Sequence, residues 1–239
     1  MQAKGGLRSA VALAAWALAA ALLAAPAQAQ SFGDGLRAFQ AGDHAAALAI
    51  WRPLAERGDE DAQFGLGQLY RDGRAVPRDP YRAFAWYRQA ALQGHAGAAF
   101  ALGAMYDAGD GVGRDLAAAA AWYRKAADQG LAPAQYNLGF MYERGEGVQQ
   151  DFGEAARWFR TAAEQGNGEA QNDLGALYAT GKGVERDLVQ AYMWFQLATL
   201  AGNAKALANR DLIAAAMTAD ELAEAEMLAG ERHRETAAP

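Results

Sequence analysis

The sequence predicts an all-α protein: an α-solenoid, or superhelix, of stacked helix-turn-helix repeats 36 residues long. Three observations carry the prediction. The pentapeptides LGQLY (66–70), LGAMY (102–106), LGFMY (138–142) and LGALY (174–178) recur at a spacing of 36 with no slippage. Trp86, Trp122, Trp158 and Trp194 keep the same period, as do Gly73/109/145/181, Val76/112/148/184, Asp79/115/151/187 and Gly94/130/166/202. Within each period the apolar residues fall into two blocks of helical spacing with a glycine-rich turn between them. Four units result, at 60–95, 96–131, 132–167 and 168–203.

Ahead of the units, Lys4 and Arg8 precede an Ala/Leu/Val run from Ala10 to Ala25, and Ala27-Gln28-Ala29 stands just before Ser31. That is the order of a basic region, an apolar region and a small-residue cleavage site, so residues 1–29 read as a secretory signal cut after Ala29, with an uncleaved membrane anchor as the alternative. No cysteine follows the cut, which argues against lipid attachment, and none occurs in the chain, so no disulfide and no thiol chemistry is available. The expectation is a periplasmic or secreted protein with no membrane span once the signal is gone. Losing Lys4 and Arg8 takes the formal charge from -6 to -8, which argues against nucleic acid and anionic membrane as partners.

Each unit resolves into a first and a second helix. In the first unit Ala62, Leu66, Leu69 and Tyr70 form one stripe over about 61–72, and Gly67 lets the partner helix approach closely. The second helix starts at Asp79, an N-cap whose carboxylate accepts from first-turn amides, with Pro80 at the first helical position. Asp151/Glu154 and Asp187/Gln190 have capping-box spacing. Ala83, Trp86, Tyr87 and Ala90 form the second helix's buried stripe, and Gly94 is the left-handed cap at its end. All four tryptophans fall on that stripe and read as structural. The stretch LGAMYDAGDGVGRD (102–115) has the look of a calcium loop, but its aspartates stand at the wrong offsets and no bidentate glutamate closes it. Its siblings RDGRAVPRD, ERGEGVQQD and ATGKGVERD do not keep the acids, so no metal site is expected; Gly109 and Gly111 serve a tight turn.

These residues, A-x-x-x-LG-x-MY-x-x-G-x-GV-x-x-D followed by WYRKAA-x-QG, resemble the consensus of the Sel1-like repeat (SLR) family, a relative of the tetratricopeptide repeat with a longer interhelical loop. The resemblance covers residues 60–203 and is tightest at WYRKAADQG (122–130). Residues 30–59 are similar to a degenerate tetratricopeptide-like helix pair with a short Ala-Gly-Asp turn. Residues 204–230 resemble a C-terminal pair of capping helices, with Thr218 and Glu221 as a capping box, and 231–239 read as a frayed tail. The resemblance implies an adaptor or scaffold without catalysis of its own.

A stack of helix pairs leaves an extended concave face, and helical angles locate it. About 180° from the core stripe of the first helices stand Phe64, Gln68 and Arg71; then Phe100 and Asp107; then Tyr136, Phe140 and Glu143; then Asn172. Phe64, Phe100, Tyr136 and Phe140 make a candidate aromatic stripe for a partner, fringed by the polar members; the alternative is that these rings pack beneath the adjoining unit. An enzyme is not expected. The mature chain has one serine, Ser31, and its three histidines, His44, His95 and His233, are isolated. No cofactor is called for. The expected partner is another envelope protein, with peptidoglycan or another glycan stacked on the same aromatics as the alternative.

Overall fold

The computed structural model describes residues 30–237; the leader assignment lies outside them. Among the described residues there are twelve α-helices and no strand. They are α1 (Phe32–Gln40), α2 (His44–Glu56), α3 (Glu60–Asp72), α4 (Pro80–Gln93), α5 (Ala96–Ala108), α6 (Leu116–Ala127), α7 (Ala132–Arg144), α8 (Phe152–Ala163), α9 (Gly168–Thr180), α10 (Leu188–Leu200), α11 (Ala204–Ala214) and α12 (Ala219–Ala237). Each first helix packs on the second helix of its own unit and, on the other side, on the second helix of the unit before, which makes the array an α-solenoid.

The local signals act as expected at the helix starts. Asp79, Asp115, Asp151 and Asp187 each cap a second helix, their carboxylates accepting from amides of the first turn. The reciprocal half of the capping box is absent at Asp151, because Glu154 turns outward to pair with Arg157 at 2.6 Å. At Asp187, too, only the aspartate's own bond to the Gln190 amide forms. The full box does form at Thr218, whose amide and hydroxyl both donate to Glu221. Another forms at Ser31 with Asp34. The C-terminal stretch expected to fray after 230 is instead helical as far as Ala237.

Inside each unit, a glycine on the first helix meets an aromatic ring on the second. A Cβ added at Gly67, Gly103, Gly139 or Gly175 would run into the ring of Tyr87, Tyr123, Phe159 or Phe195; at Gly139 and Gly175 the clash would be 2.7 and 2.9 Å. These rings are 0–2% exposed. The tryptophans one position earlier are a more mixed series than their spacing implied. Trp158 and Trp194 are buried, but Trp86 and Trp122 are half-buried at the edge of the core, with Lys125 over the Trp122 ring at 3.9 Å. All four stand on the flank of the stripe that Ala83, Tyr87, Ala90 and Ala91 form, so their burial differs with what covers that flank: Arg232 of α12 lies over Trp194, and Arg124 and Arg157 lie over Trp158.

Between units, a buried glutamine reaches back across the junction. Nε2 of Gln63, Gln135 and Gln171 donates to the carbonyls of Ala55, Ala127 and Ala163, near the ends of the preceding second helices, at 3.1, 3.2 and 3.0 Å. Gln93 and Gln165 in turn donate to Gln63 and Gln135. The interhelical turns pack tightly too. Gly111, Gly147 and Gly183 have φ of 71–73°, and a Cβ on any of them would strike backbone at the start of the previous unit's second helix. The first unit has Ala75 there, left-handed at φ 60°.

The array ends by substitution. At the fifth first helix, α11, the core leucine and glycine of the pattern are replaced by Arg210 and Asp211. Arg210 bonds Gln196 at 2.8 Å and Asp211 at 2.7 Å. The last helix, α12, does not pair with α11; it packs on α10 instead, with Arg232 over the Trp194 ring at 4.9 Å and 3.8 Å from Glu164.

Two stability effects follow. The Tyr87 hydroxyl is buried without a hydrogen-bond partner, because the position that gives Tyr123 its partner Asn137 is Ala101 in the unit before. Tyr87→Phe, which installs the ring found at Phe159 and Phe195, is expected to stabilise the chain by about 1 kcal/mol, read as a higher urea midpoint. Ala75→Gly removes a Cβ from the left-handed region and is expected to gain about 0.5–1 kcal/mol, part of the relief being offset by the freer unfolded chain. A lower midpoint in either variant would contradict the assignment.

Candidate partner-binding face

The row opposite the core stripe of the first helices is partly filled by the array itself. Phe64 is half-buried, stacks on His95 with centroids 4.4 Å apart and lies 5.6 Å from Tyr87. It thus packs against the start of the next unit's first helix, where His95 is the N-cap and its Nδ1 accepts from the Ala98 amide at 3.0 Å. Phe100 is half-buried 5.7 Å from Tyr123, and Tyr136 is half-buried 5.7 Å from Phe159. Phe64 thus reaches the next first helix, whereas Phe100 and Tyr136 lie against the second helices of their own units. Phe140 is half-buried as well, 6.3 Å from Tyr136, with the Arg144 guanidinium 4.3 Å from its ring centre.

The polar members separate into two groups. Gln68 and Arg71 lie on the first unit, where Arg71 pairs with Asp72 at 2.9 Å. Asp107 is half-buried on the second, its carbonyl accepting from Arg114 at 2.8 Å. Neither belongs to the cluster that forms on the third and fourth units, around Tyr136, Phe140 and Glu143. Asn172, expected on the open face, is buried at 8% exposure. It accepts from Asn209 of α11 at 2.9 Å and donates to Asp173 at 2.9 Å, so the capping helix covers it. An angle measured on one helix does not register a covering helix contributed by the cap.

Asp173 belongs at the centre of that cluster and escaped the sequence reasoning. The Tyr136 hydroxyl hydrogen-bonds its carboxylate. Burial is the first cause that pushes the Asp173 carboxyl above its ordinary range; Glu169 adds repulsion, while Asn172, Tyr136 and Lys205 work against the rise. Glu143 is raised in the same way, by burial first and by Asp173 second, against Arg144 and Lys182. Neither carboxylate forms a salt bridge among the described residues. The signal was present: the position drifts from Gly65 through Ala101 and Asn137 to Asp173, gaining polarity where a seam prefers small residues.

Among the described residues no group of three or more His, Cys, Asp or Glu side chains is placed to hold a metal ion, and no helix is long and apolar enough to cross a membrane. Two polar clefts lie away from this face. One of ≈450 Å³ sits between α10, α11 and α12 around Tyr192, Gln196, Arg210 and Glu226; one of ≈440 Å³ lies at the third unit's turn around Tyr142 and Gln150.

No curated protein sequence matches the chain. Among solved structures, c5321, a protective antigen of uropathogenic Escherichia coli with an SLR fold, is 38% identical with a TM-score of 0.77; the match covers 86% of this chain and 45% of that one. The chain therefore spans less than half the length of the E. coli protein. A Sel1 repeat protein from Oxalobacter formigenes is 33% identical, with a TM-score of 0.71, over 74% of this chain and 72% of that one. The family model described as Sel1 repeat matches residues 60–95, 96–131, 132–167 and 168–203. With more than half its length in four such repeats, the chain belongs to the Sel1 repeat family.

Proposed function

We propose that this protein is a non-catalytic adaptor of the bacterial cell envelope that holds a segment of another envelope protein against the first-helix face of its array. The Sel1 repeat is a protein–protein interaction module whose members act as scaffolds and are generally non-catalytic, which supports the coarse part of this reading. The envelope rests on the leader-like order of residues 1–29.

One observation carries the choice of face. Glu143 and Asp173 are kept partly buried, close enough to repel, and without a salt bridge, with Glu143 one helical turn after the half-buried Phe140. Such an arrangement works against folding, and an array free to choose a small neutral residue, as at Gly65 and Ala101, retains it here. Uncompensated charge beside an aromatic ring is what a surface needs to recognise something other than its own neighbour.

The stability cost has a definite sign. A carboxyl whose folded pKa is raised binds its proton more tightly in the folded chain, so ionisation weakens the fold as pH rises through the unfolded and then the folded value. Asp173→Asn, which keeps an acceptor for Tyr136, is expected to raise the melting temperature at pH 7, and the gain over wild type is expected to vanish as pH falls below the ordinary carboxylate range, near about 4. A variant less stable than wild type at pH 7 would show that the charge is structural.

The functional test is a crosslinked pull-down by residues 30–239 from envelope extract, run beside Phe140→Gln. Glutamine occupies the same position as Gln68 in the first unit, so the fold tolerates it. A protein captured by wild type and lost by the variant, at unchanged far-UV circular dichroism, is the expected result; a partner retained by the variant overturns the choice of face. Isolated peptidoglycan is expected to sediment without the chain.

A further inference from the structure

We propose that the cleft between α10, α11 and α12 binds a small zwitterion, an α-amino acid or a dipeptide, whose carboxylate meets Arg210 and whose ammonium meets Glu226. The site lies away from the partner-binding face and does not depend on the adaptor reading.

The cleft exists because the repeat is broken twice at one place. In the four units the position of Arg210 is held by a buried leucine, Leu66, Leu102, Leu138 or Leu174. A guanidinium cannot replace a leucine in a closed core without polar partners, and here the core stays open, because α12 packs on α10 and not on α11. A gap of ≈450 Å³ is left, lined by Tyr192, Gln196, Leu200, Arg210, Glu226 and Ala229. The second departure lies on α10. Arg124 and Arg160 of the second and third units both donate to the tyrosine of the following unit, Tyr142 and Tyr178. The fourth unit has Gln196 at that position, and the cation comes from the cap instead. No tyrosine absorbs it, since position 214 is alanine.

Two opposite charges therefore face one cleft without meeting. Arg210 is held by Gln196, to whose Oε1 its Nη1 donates at 2.8 Å, and Glu226 is held by the Tyr192 hydroxyl, which donates to its Oε1 at 3.4 Å. Tyr192 and Gln196 stand one turn apart on α10, which sets the two anchor points about 5–6 Å from each other. The ion pair of Arg210 is with the exposed Asp211 and not with Glu226. Its bonds to Gln196 and Asp211 use three of the five guanidinium N–H groups and leave two for a ligand. The Arg210 side chain is 23% exposed and Tyr192 6%, so water screens the positive end of the cleft weakly. Both charges act on Tyr192: burial and then Glu226 push its hydroxyl above the ordinary range, and Arg210 works against the rise.

Size and lining set the class of ligand. The volume falls within the roughly 300–1,000 Å³ of small-molecule sites. A carboxylate matches the remaining donors of Arg210, an ammonium matches Glu226, and Leu200 with Ala229 offer an apolar wall to an aliphatic side chain. A simple anion would be repelled by Glu226 and a simple cation by Arg210. A ligand carrying both charges a short distance apart satisfies both ends at once.

The test titrates L-leucine and L-alanyl-L-leucine into residues 30–239 while the Ala229 methyl and the Gln196 side-chain amide are followed by NMR. At least one ligand is expected to shift both signals saturably with Kd below about 1 mM, and the tighter of the two identifies the source as amino acid or dipeptide. Acetylating the amine of that ligand is expected to weaken binding by at least about threefold, because Glu226 is exposed, and amidating its carboxylate by at least about tenfold. Glu226→Gln is expected to remove the penalty of acetylation at an unchanged melting temperature. Arg210→Leu, which restores the residue of the four units, is expected to abolish binding with the melting temperature retained. No saturable shift with either ligand at about 10 mM, an acetylated ligand bound as tightly as the free one, or wild-type affinity in Arg210→Leu would each overturn the inference.

Discussion

Everything in this array depends on one close contact, a glycine on the first helix of a unit against an aromatic ring on the second. The pairs Gly67–Tyr87, Gly103–Tyr123, Gly139–Phe159 and Gly175–Phe195 all leave no room for a Cβ. Burying each ring is worth about 1.5–3 kcal/mol, but the contact does more than stabilise. It sets the distance and phase of the two helices, and so the places from which the next unit can be reached. The N-terminal pair keeps the same solution with different residues: Trp51 lies between Gly35 of α1 and Gly65 of α3, and its indole donates to the Phe32 carbonyl at 3.2 Å. The array stops where the solution is withdrawn, since Asp211 stands where α11 would need its glycine.

A second set of contacts keeps the units in register. The glutamines at 63, 135 and 171 satisfy carbonyls at the ends of preceding helices that would otherwise be buried and unpaired. Their own oxygens are met by Gln93 and Gln165, and the buried Oε1 of Gln171 is left without a donor because position 201 is alanine. In the second unit Ala99 replaces the glutamine, and Gln129 turns to the Lys125 carbonyl instead. The unpaired polar atoms at Gln171 and Tyr87 thus both fall where the matching residue is missing, at position 201 of the same unit and at position 101 of the next, which is how a repeat accumulates local cost without losing its architecture.

The period made the architecture legible from sequence: the strict spacing, the capping aspartates and Gly67 each have a local cause that needs no knowledge of the neighbours. Three features were not legible, for one common reason. Trp86 and Trp122 reach only the edge of the core, Asn172 is covered by α11, and α12 continues to Ala237 across α10. Each depends on what a third helix does, and a helical angle computed within one helix carries only the direction to its nearest partner. Of the candidate stripe, Phe64 stacks on His95 at the start of the next first helix, while Phe100 and Tyr136 lie against Tyr123 and Phe159 of their own units, contacts that spacing along one helix does not contain.

Perfect repetition would work against specific recognition, because four identical units offer a ligand four equivalent registers. Selectivity has to come from positions where the units differ without loosening the glycine–ring contact, and those lie on the outward row of the first helices. From the first unit to the fourth that row changes from Phe64 and Gln68 to Asn172 and Ala176, while the seam position changes from Gly65 to Asp173. Both changes reach their extreme in the fourth unit, next to the cap that closes the stack. There α11 meets the array in place of a further repeat, and the outward row ends covered, with Asn172 bonded to Asn209 on one side and to Asp173 on the other.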